Sequence, residues 1–347
     1  MTTSSKRMYS DLPIPPGEVL EEELEAIGMT QKELAARLDR PPQVVNEIIR
    51  GKKAITPETA FELEKVLGIP AQFWVNLEAA YRITLARNKD REELVRSEEW
   101  LKAFPVREME KRGWIPVGED KIEKLRNILS FLGVAHPAAY REAVVGFRMT
   151  EAAASKVSLE ALAAWLRRGE LEARDAETTP FNAERFREAL REIRGMTRQA
   201  PEEFHDRLVA LCAEAGVVVR VVQELPKSGA NGATRWLSED KALIQMSLRN
   251  RWQDVFWFAF FHEAGHLLLH RTTRTFIEGV DGADDRLEQE ANRFAANLLI
   301  PERDWAAFVG AGQFKARAVQ EFADLQGIAS GIVVGRLQHE KRLPPHA

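Results

Sequence analysis

The chain has 347 residues, a formal net charge of -4 and 45% hydrophobic residues, which is typical of a globular protein of two or three domains. No uncharged apolar run approaches the roughly 18 residues needed to span a bilayer, and the N-terminus lacks the apolar segment of a secretory signal. We therefore expect a cytoplasmic protein that does not insert into membranes. Cys212 is the only cysteine, which excludes disulfide frameworks and Cys-rich zinc modules, so any metal would be held by His and carboxylate side chains.

Residues 1–87 show the pattern of five short amphipathic helices separated by Gly, Pro and Thr. Thr30 stands three residues before Glu33, the spacing of a capping box. Thr56 followed by Pro57 combines a cap with Pro at the first helical position. The predicted helices cover 17–26, 30–38, 43–50, 57–67 and 70–85, and together they predict a compact N-terminal domain.

The rest of the chain changes character at about residue 200. Residues 88–200 are helical and charged, and we interpret them as a linker or regulatory region. In 201–347, three segments rich in Val, Ile, Thr and Trp precede a series of helices. These segments, 216–222, 233–237 and 242–248, predict a small antiparallel sheet. The predicted fold is therefore mainly α, with an α+β domain at the C-terminus.

One helix carries a pattern that indicates chemistry. In VFWFAFFHEAGHLLLH, His262 and His266 are four residues apart and lie on one helix face, where two imidazoles can bind one Zn²⁺. Glu263 beside them can accept a proton as the general base of a metallopeptidase. Burying these polar groups in an apolar helix is costly without a partner, and a metal is a suitable one.

A catalytic zinc needs a third protein ligand and leaves its fourth position for water. A metzincin-type third His is absent, because Leu269 and Thr272 stand where that pattern requires Gly and His. The ligand should then be a carboxylate downstream. The candidates are Glu278, Asp281, Asp284, Asp285, Glu288 and Glu290. In EQEANRFAANLLIP, Glu290 borders the apolar stripe and can face the zinc, while periodicity also allows Glu288. His270 continues the His face, and we interpret it as a neighbour of the site.

HEAGHLLLH followed by EQEANRFAANLLIP resembles the ImmA/IrrE family of zinc metallopeptidases, over roughly residues 201–301. The resemblance implies a zincin-like domain in which His262, His266 and Glu290 hold the zinc and Glu263 is the base. It also implies cleavage of a protein regulator, such as a repressor or an antitoxin, in stress response or mobile-element control.

Two further features of the cleft are expected. KALIQMSLR resembles the family's strand beside the active site, where an extended substrate could add as a further strand. His270, Arg235 and Arg249 are candidates for stabilising the oxyanion, and no spacing argument separates them.

The segment MTQKELAARLDRPPQVVNEIIRGKKAITPETAFELEKVLG resembles the helix-turn-helix of the HigA-like antitoxin group within the XRE regulators, over about residues 13–87. The resemblance implies DNA binding through a recognition helix from Pro42 to Arg50, although Pro41 and Pro42 replace the usual Ser or Thr cap. The assigned contacts are Gln31, Gln43 and Asn46 with bases, and Arg40, Arg50, Lys52 and Lys53 with phosphates. Residues 28–55 carry a local charge of +3 while the first helix is crowded with Glu, which favours modest, salt-sensitive binding.

Two functions follow from these patterns. The first is a zinc endopeptidase with a helix-turn-helix domain (1–87), a linker (88–200) and a peptidase domain (201–347). It would act in transcription control by cleaving a protein regulator. Its substrate could also be the chain itself or the helix-turn-helix domain of a second copy. The second is a DNA-binding repressor or antitoxin whose metal domain binds a partner or senses a signal without proteolysis. An intact Glu263 favours the first, because a structural zinc needs no base. The helix-turn-helix could also serve only in docking or dimerisation, and a homodimer is expected for palindromic operators.

Overall fold

The computed structural model describes residues 12–144, 157–247, 253–270, 276–277 and 285–344. The chain divides into two compact units, 1–98 and 99–347. Among the described residues, no helix is both long and apolar enough to cross a bilayer.

The first unit contains the five predicted helices. They are α1 (Pro16–Ala26), α2 (Gln31–Arg37), α3 (Pro42–Ile49), α4 (Pro57–Leu67) and α5 (Ala71–Arg96). Their apolar stripes meet in one core around the fully buried Trp74. Gly17 lets α1 cross α3 closely, because a Cβ there would lie 2.2 Å from the Ile49 carbonyl oxygen. The helical N-terminal domain is confirmed.

Capping side chains start two of these helices where the sequence places them. The Thr30 hydroxyl accepts from the Glu33 N–H at 3.2 Å, and the Thr56 hydroxyl accepts from the Thr59 N–H at 3.3 Å. The second half of the predicted capping box is not formed, because the Glu33 carboxylate instead accepts from Arg37 at 2.7 Å. α3 begins at Pro42 without a side-chain cap, as expected from the two prolines.

The second unit is helical around one small sheet. Its helices are α6 (Glu98–Leu101, which starts at the boundary), α7 (Val106–Lys111), α8 (Lys121–Leu132), α9 (Pro137–Val144), α10 (Leu159–Ala173), α11 (Ala183–Gly195), α12 (Pro201–Glu214), α13 (Gln253–Leu269), α14 (Asp285–Leu299), α15 (Glu302–Gly310), α16 (Ala316–Gln326) and α17 (Ser330–His339). Its strands are β1 (Val217–Val221), β2 (Gly232–Trp236), β3 (Ala242–Met246) and β4 (Phe276–Ile277), in the spatial order β1-β3-β2-β4. The mainly α architecture with an α+β C-terminal part is confirmed.

The sheet is mixed, so the prediction of a purely antiparallel sheet was wrong. β2 and β3 form an antiparallel hairpin, but β1 pairs parallel with β3. The connection 222–231 is long enough to carry the chain past one strand position, and β3 then occupies the gap between β1 and β2. β3 is the centre of the sheet and is buried along its whole length.

α10 and α13 cover opposite faces of this sheet. On one face, the Gln245 amide donates to the Trp165 carbonyl at 2.7 Å, and Arg235 forms an ion pair with Glu170 at 3.2 Å. On the other face, Trp257 and its aromatic neighbours on α13 fill the main core. Both faces of the central strand are therefore buried, as its mostly apolar sequence indicates.

The observed units differ from the predicted boundaries at 87 and 200. The N-terminal unit extends to 98 because α5 continues without a break to Arg96. The predicted linker is not separate, because its α10 contributes one whole layer of the C-terminal unit: the Trp165 indole N–H donates to the Val222 carbonyl at 2.9 Å. Amphipathic periodicity identifies helices but not the sheet on which they pack.

Candidate metal centre and nucleic-acid interface

The candidate metal centre lies between α13 and α14. The two helices pack closely because Gly265 faces Ala291, where a Cβ would lie 3.3 Å from the Ala291 Cα. On α14, residues 288, 292, 295 and 299 follow one another at helical spacing along the face toward α13. Ala295 and Leu299 are buried there, and Glu288 and Asn292 continue that face toward the His residues of α13.

His262, His266 and Glu288 surround one point. The two imidazole Nε2 atoms lie 2.9 Å apart, and the Glu288 carboxylate lies 3.3 Å from His262 Nε2 and 3.4 Å from His266 Nε2. All three ligand atoms lie within 4.8 Å of one another. Both His side chains are almost fully buried. Two imidazole nitrogens and a carboxylate that converge in this way form a donor set that fits a divalent cation.

The predicted ligand Glu290 does not join this cluster. Its Oε2 accepts from His270 Nε2 at 3.0 Å, its Oε1 accepts from Arg286 at 2.9 Å, and the side chain is 41% exposed. The reason is helical geometry, since Glu290 is two residues, or about 200°, from Glu288 on the helix. The geometry therefore favours Glu288, the alternative that periodicity left open. Of the other carboxylates considered, Glu278, Asp281 and Asp284 lie outside the described residues, and the Asp285 side chain is not described.

Hydrogen bonds orient the two imidazoles. His262 Nδ1 lies 3.0 Å from the Asn292 Oδ1, and His266 Nδ1 lies 3.1 Å from His270 Nδ1. With a cation bound, an Nδ1–H donated to Asn292 would leave the Nε2 lone pair of His262 free to bind that cation. Asn292 was missed by the sequence reasoning, although it stands four residues after Glu288 on the same face.

Protonation states in the cluster suit a metal. Partial burial alone would raise the pKa of Glu288, but hydrogen bonds with His262 and His266 lower that pKa to about 2. Burial is the main cause that lowers the pKa of His266. An ionised carboxylate and a neutral imidazole are the forms that bind a cation. Hydrogen bonds from His270 and then Arg286 lower the pKa of Glu290, consistent with its separate position.

Glu263 is fully buried and lies against the start of β2. A Cβ on Gly232 would lie 2.8 Å from the Glu263 Cγ and 2.9 Å from its Oε1. The Thr234 hydroxyl donates to the Glu263 carbonyl at 3.2 Å and holds α13 on β2. Gly232 therefore provides the space that the Glu263 carboxylate occupies, a role that the sequence reasoning did not identify.

Of the two further expectations for the cleft, the substrate strand is not met at β3, and the oxyanion role stays a prediction. β3 cannot accept a substrate strand, because β1 and β2 occupy its two edges. Arg235 points to the α10 face of the sheet, where it contacts Glu170, since alternate strand residues face opposite sides. His270 lies behind His266 and joins it to Glu290. Arg249 lies outside the described residues.

The predicted nucleic-acid interface centres on α3. Asn46 donates to the Gln31 side chain at 3.3 Å, so the structure brings two of the predicted base contacts together. Gln43 is exposed at the start of α3. Exposed cations follow the helix at Arg50, Lys52 and Lys53.

Arg40 is placed differently from these cations. Its Nε lies 2.8 Å from Glu62 on α4, and both side chains are partly buried. Arg40, which was predicted to contact phosphate, is therefore already paired with a carboxylate of the same domain. Gln31, whose oxygen accepts from Asn46, also donates through its amide nitrogen to Glu21 at 3.3 Å.

The N-terminal helices are similar to several known proteins. A virulence-associated protein I of Dichelobacter nodosus is 40% identical over 74 residues, which cover 21% of this chain and 68% of that protein. Antitoxin HigA-1 of Vibrio cholerae is 34% identical over 82 residues, 23% of this chain and 77% of the antitoxin. A solved structure of a HigA-family addiction module antidote protein from Coxiella burnetii is 38% identical, with a TM-score of 0.23, and covers 26% of this chain and 95% of its own.

Two families match separate parts of the chain. The helix-turn-helix family matches residues 20–74, which contain α2 and α3. The IrrE N-terminal-like domain of the M78 peptidases matches residues 250–323, which contain the His262 and His266 helix and Glu288. The two resemblances predicted from the sequence are confirmed: the chain belongs to the helix-turn-helix family through its N-terminal domain and carries a C-terminal IrrE-like M78 peptidase domain.

Proposed function

We propose that this protein is a zinc-dependent endopeptidase that cleaves a protein regulator and binds operator DNA through its helix-turn-helix domain. The observation that carries the enzymatic part is the convergence of His262, His266 and Glu288 next to the buried Glu263. Two imidazoles and one carboxylate are a ligand set of catalytic zinc sites, which keep one position open.

The chain's own residues have distinct tasks in this reaction. His262, His266 and Glu288 would hold the zinc, which when bound would supply Lewis-acid chemistry toward water and a peptide carbonyl. The Glu263 carboxylate accepts the proton of the attacking water and returns it to the leaving amine. Asn292 and His270 fix the orientation of the two imidazoles through their Nδ1 atoms.

The test is a search for new protein N-termini in a lysate from the host cells. Zinc-loaded wild type should produce cleavage products that Glu263→Gln does not produce. A second candidate is a repressor or antitoxin that binds its partner without cutting it, which similarity to antitoxin HigA-1 favours. In that case both proteins would leave the lysate unchanged while operator binding persisted.

Gly232 supplies a test of how Glu263 is positioned. Gly232→Ala should lower the cleavage rate by about 100-fold, because the added Cβ displaces the carboxylate from its place. Metal content should stay unchanged, since the three atoms nearest to the added Cβ all belong to Glu263, which is not a ligand in the cluster. Gly331→Ala is the matched control, as its Cβ meets nothing within 4 Å. Equal cleavage rates for both variants would show that Gly232 does not position the base.

The DNA-binding part predicts a difference between base and phosphate contacts. Asn46→Ala should weaken binding to the preferred duplex by about 1–3 kcal/mol and leave binding to random DNA nearly unchanged. Lys53→Ala should weaken binding to both the preferred and the random duplex. The slope of log K against log[salt] should become less steep by about one. Fluorescence anisotropy at several salt concentrations measures both effects. An equal loss on both duplexes for Asn46→Ala would mean that it contacts no base.

The homodimer expected for palindromic sites remains a prediction. Sedimentation of the full chain with and without its preferred duplex measures it directly. Two chains on one duplex would agree with two half-sites one helical turn apart.

A further inference from the structure

The exposed side of α3 carries a carboxylate among the predicted base contacts. Residues 43, 46, 47 and 50 have the spacing of one helix face, and Val45, Ile48 and Ile49 bury the opposite face in the core. Gln43 and Arg50 are exposed, while Asn46 and Glu47 are half-buried. Glu47 therefore lies within the face that the proposed function directs at DNA.

The Glu47 side chain forms few hydrogen bonds within the protein. Its Oε1 accepts from the Gln43 amide at 3.0 Å. Among the residues that the structure describes, no Lys or Arg pairs with it within 4.0 Å, and its Oε2 accepts no hydrogen bond. The Glu47 carboxylate thus keeps one oxygen available as an acceptor on this half-buried face.

A carboxylate beside DNA is repelled by the phosphates unless a base donates to it. In the major groove only the amino groups of cytosine and adenine donate. Adenine presents its N7 acceptor next to its amino group, and that lone pair repels a carboxylate, whereas cytosine N4 has no such neighbour. A carboxylate at this position can therefore accept a hydrogen bond from cytosine without repulsion by a neighbouring lone pair.

We propose that Glu47 reads a cytosine by accepting a hydrogen bond from its N4 amino group, next to the base that Gln43 reads. The contact between Gln43 and Glu47 then sets both side chains at once: Gln43 gives one amide hydrogen to Glu47 and keeps the other for its own base. This proposal rests on the proposed DNA binding. It makes Glu47 a specificity-determining residue of the operator.

The test is selection of duplexes from a random-sequence pool by the full chain. Wild type should select a motif with a cytosine beside the position that Gln43→Ala relaxes. Glu47→Gln should lose the preference for that cytosine by at least about fivefold and gain adenine there, because Gln pairs bidentately with adenine. Glu92→Gln, which removes an exposed carboxylate near the end of α5, should select the wild-type motif.

Three results would overturn the proposal. If Glu47→Gln selected the same motif as wild type, Glu47 would read no base. If Glu47→Gln relaxed only the position relaxed by Gln43→Ala, Glu47 would merely orient Gln43. If wild type selected no motif at all, the DNA-binding function itself would fail, and that outcome is distinguishable from the other two.

Discussion

Glu263→Gln should reduce peptide-bond cleavage by about 10²- to 10⁴-fold, the range that a general acid–base group contributes. The amide keeps the shape of the carboxylate but cannot accept the proton of the attacking water. Glu263 is fully buried against β2, so a carboxylate from solution cannot reach its position and restore the lost base. The measurement is the rate at which the cleaved regulator appears under single-turnover conditions, with substrate identified from its new N-terminus.

Metal content is the control for this variant. Zinc per chain should be equal in Glu263→Gln and wild type, because Glu263 is not part of the cluster of His262, His266 and Glu288. Loss of both zinc and activity would instead make Glu263 a structural support of the site. Cleavage at the wild-type rate would show that Glu263 is not the general base.

Glu288→Ala should weaken metal binding by more than about 100-fold, beyond the 10- to 100-fold effect of residues that only support a ligand. The variant removes the carboxylate 3.3 Å from His262 Nε2 and leaves two imidazoles. A competition titration with a chelator of known affinity measures the loss.

Glu290→Ala is the matched comparison, two residues along the same helix. It removes a contact with His270, which in turn contacts His266, so its effect should stay within about 10- to 100-fold. The reverse order, with Glu290→Ala losing the metal and Glu288→Ala retaining it, would contradict the geometry and restore the ligand set implied by the family resemblance.

Local patterns predicted much of the fold. The helices of the N-terminal domain follow from apolar spacing together with Thr30, Thr56 and the prolines, because caps and stripes are properties of neighbouring residues. The strand order was not accessible in this way. Parallel pairing of β1 with β3 depends on how the connection 222–231 crosses the sheet, and no local pattern encodes that crossing.

In the candidate metal centre, too, only the features that lie within one helix were predictable from the sequence. His262, Glu263 and His266 come from one helix, and their spacing alone predicts a shared face. The third ligand comes from another helix, and its choice depends on the rotation of α14. The buried face is defined by Ala295 and Leu299 with Gly265 opposite Ala291. Glu288 continues that face at helical spacing, whereas Glu290 points about 200° away.

Polar surface contacts were the least predictable. The sequence assigned Arg40 to phosphate, yet it pairs with Glu62 on another helix. Gly232 could not be linked to Glu263 before the strand was placed beside the helix. Both contacts join segments that are distant in the chain, so single-segment periodicity carries no information about them.

The most direct test of the metallopeptidase assignment is an anomalous difference map, recorded at the zinc absorption edge, from crystals of the protein purified without chelators. We expect one peak about 2.0–2.2 Å from the Nε2 atoms of His262 and His266 and from the carboxylate of Glu288. A peak bound by Glu290 instead of Glu288 would contradict the proposed ligand set. Absence of any peak between α13 and α14 in an intact fold would contradict the zinc centre itself.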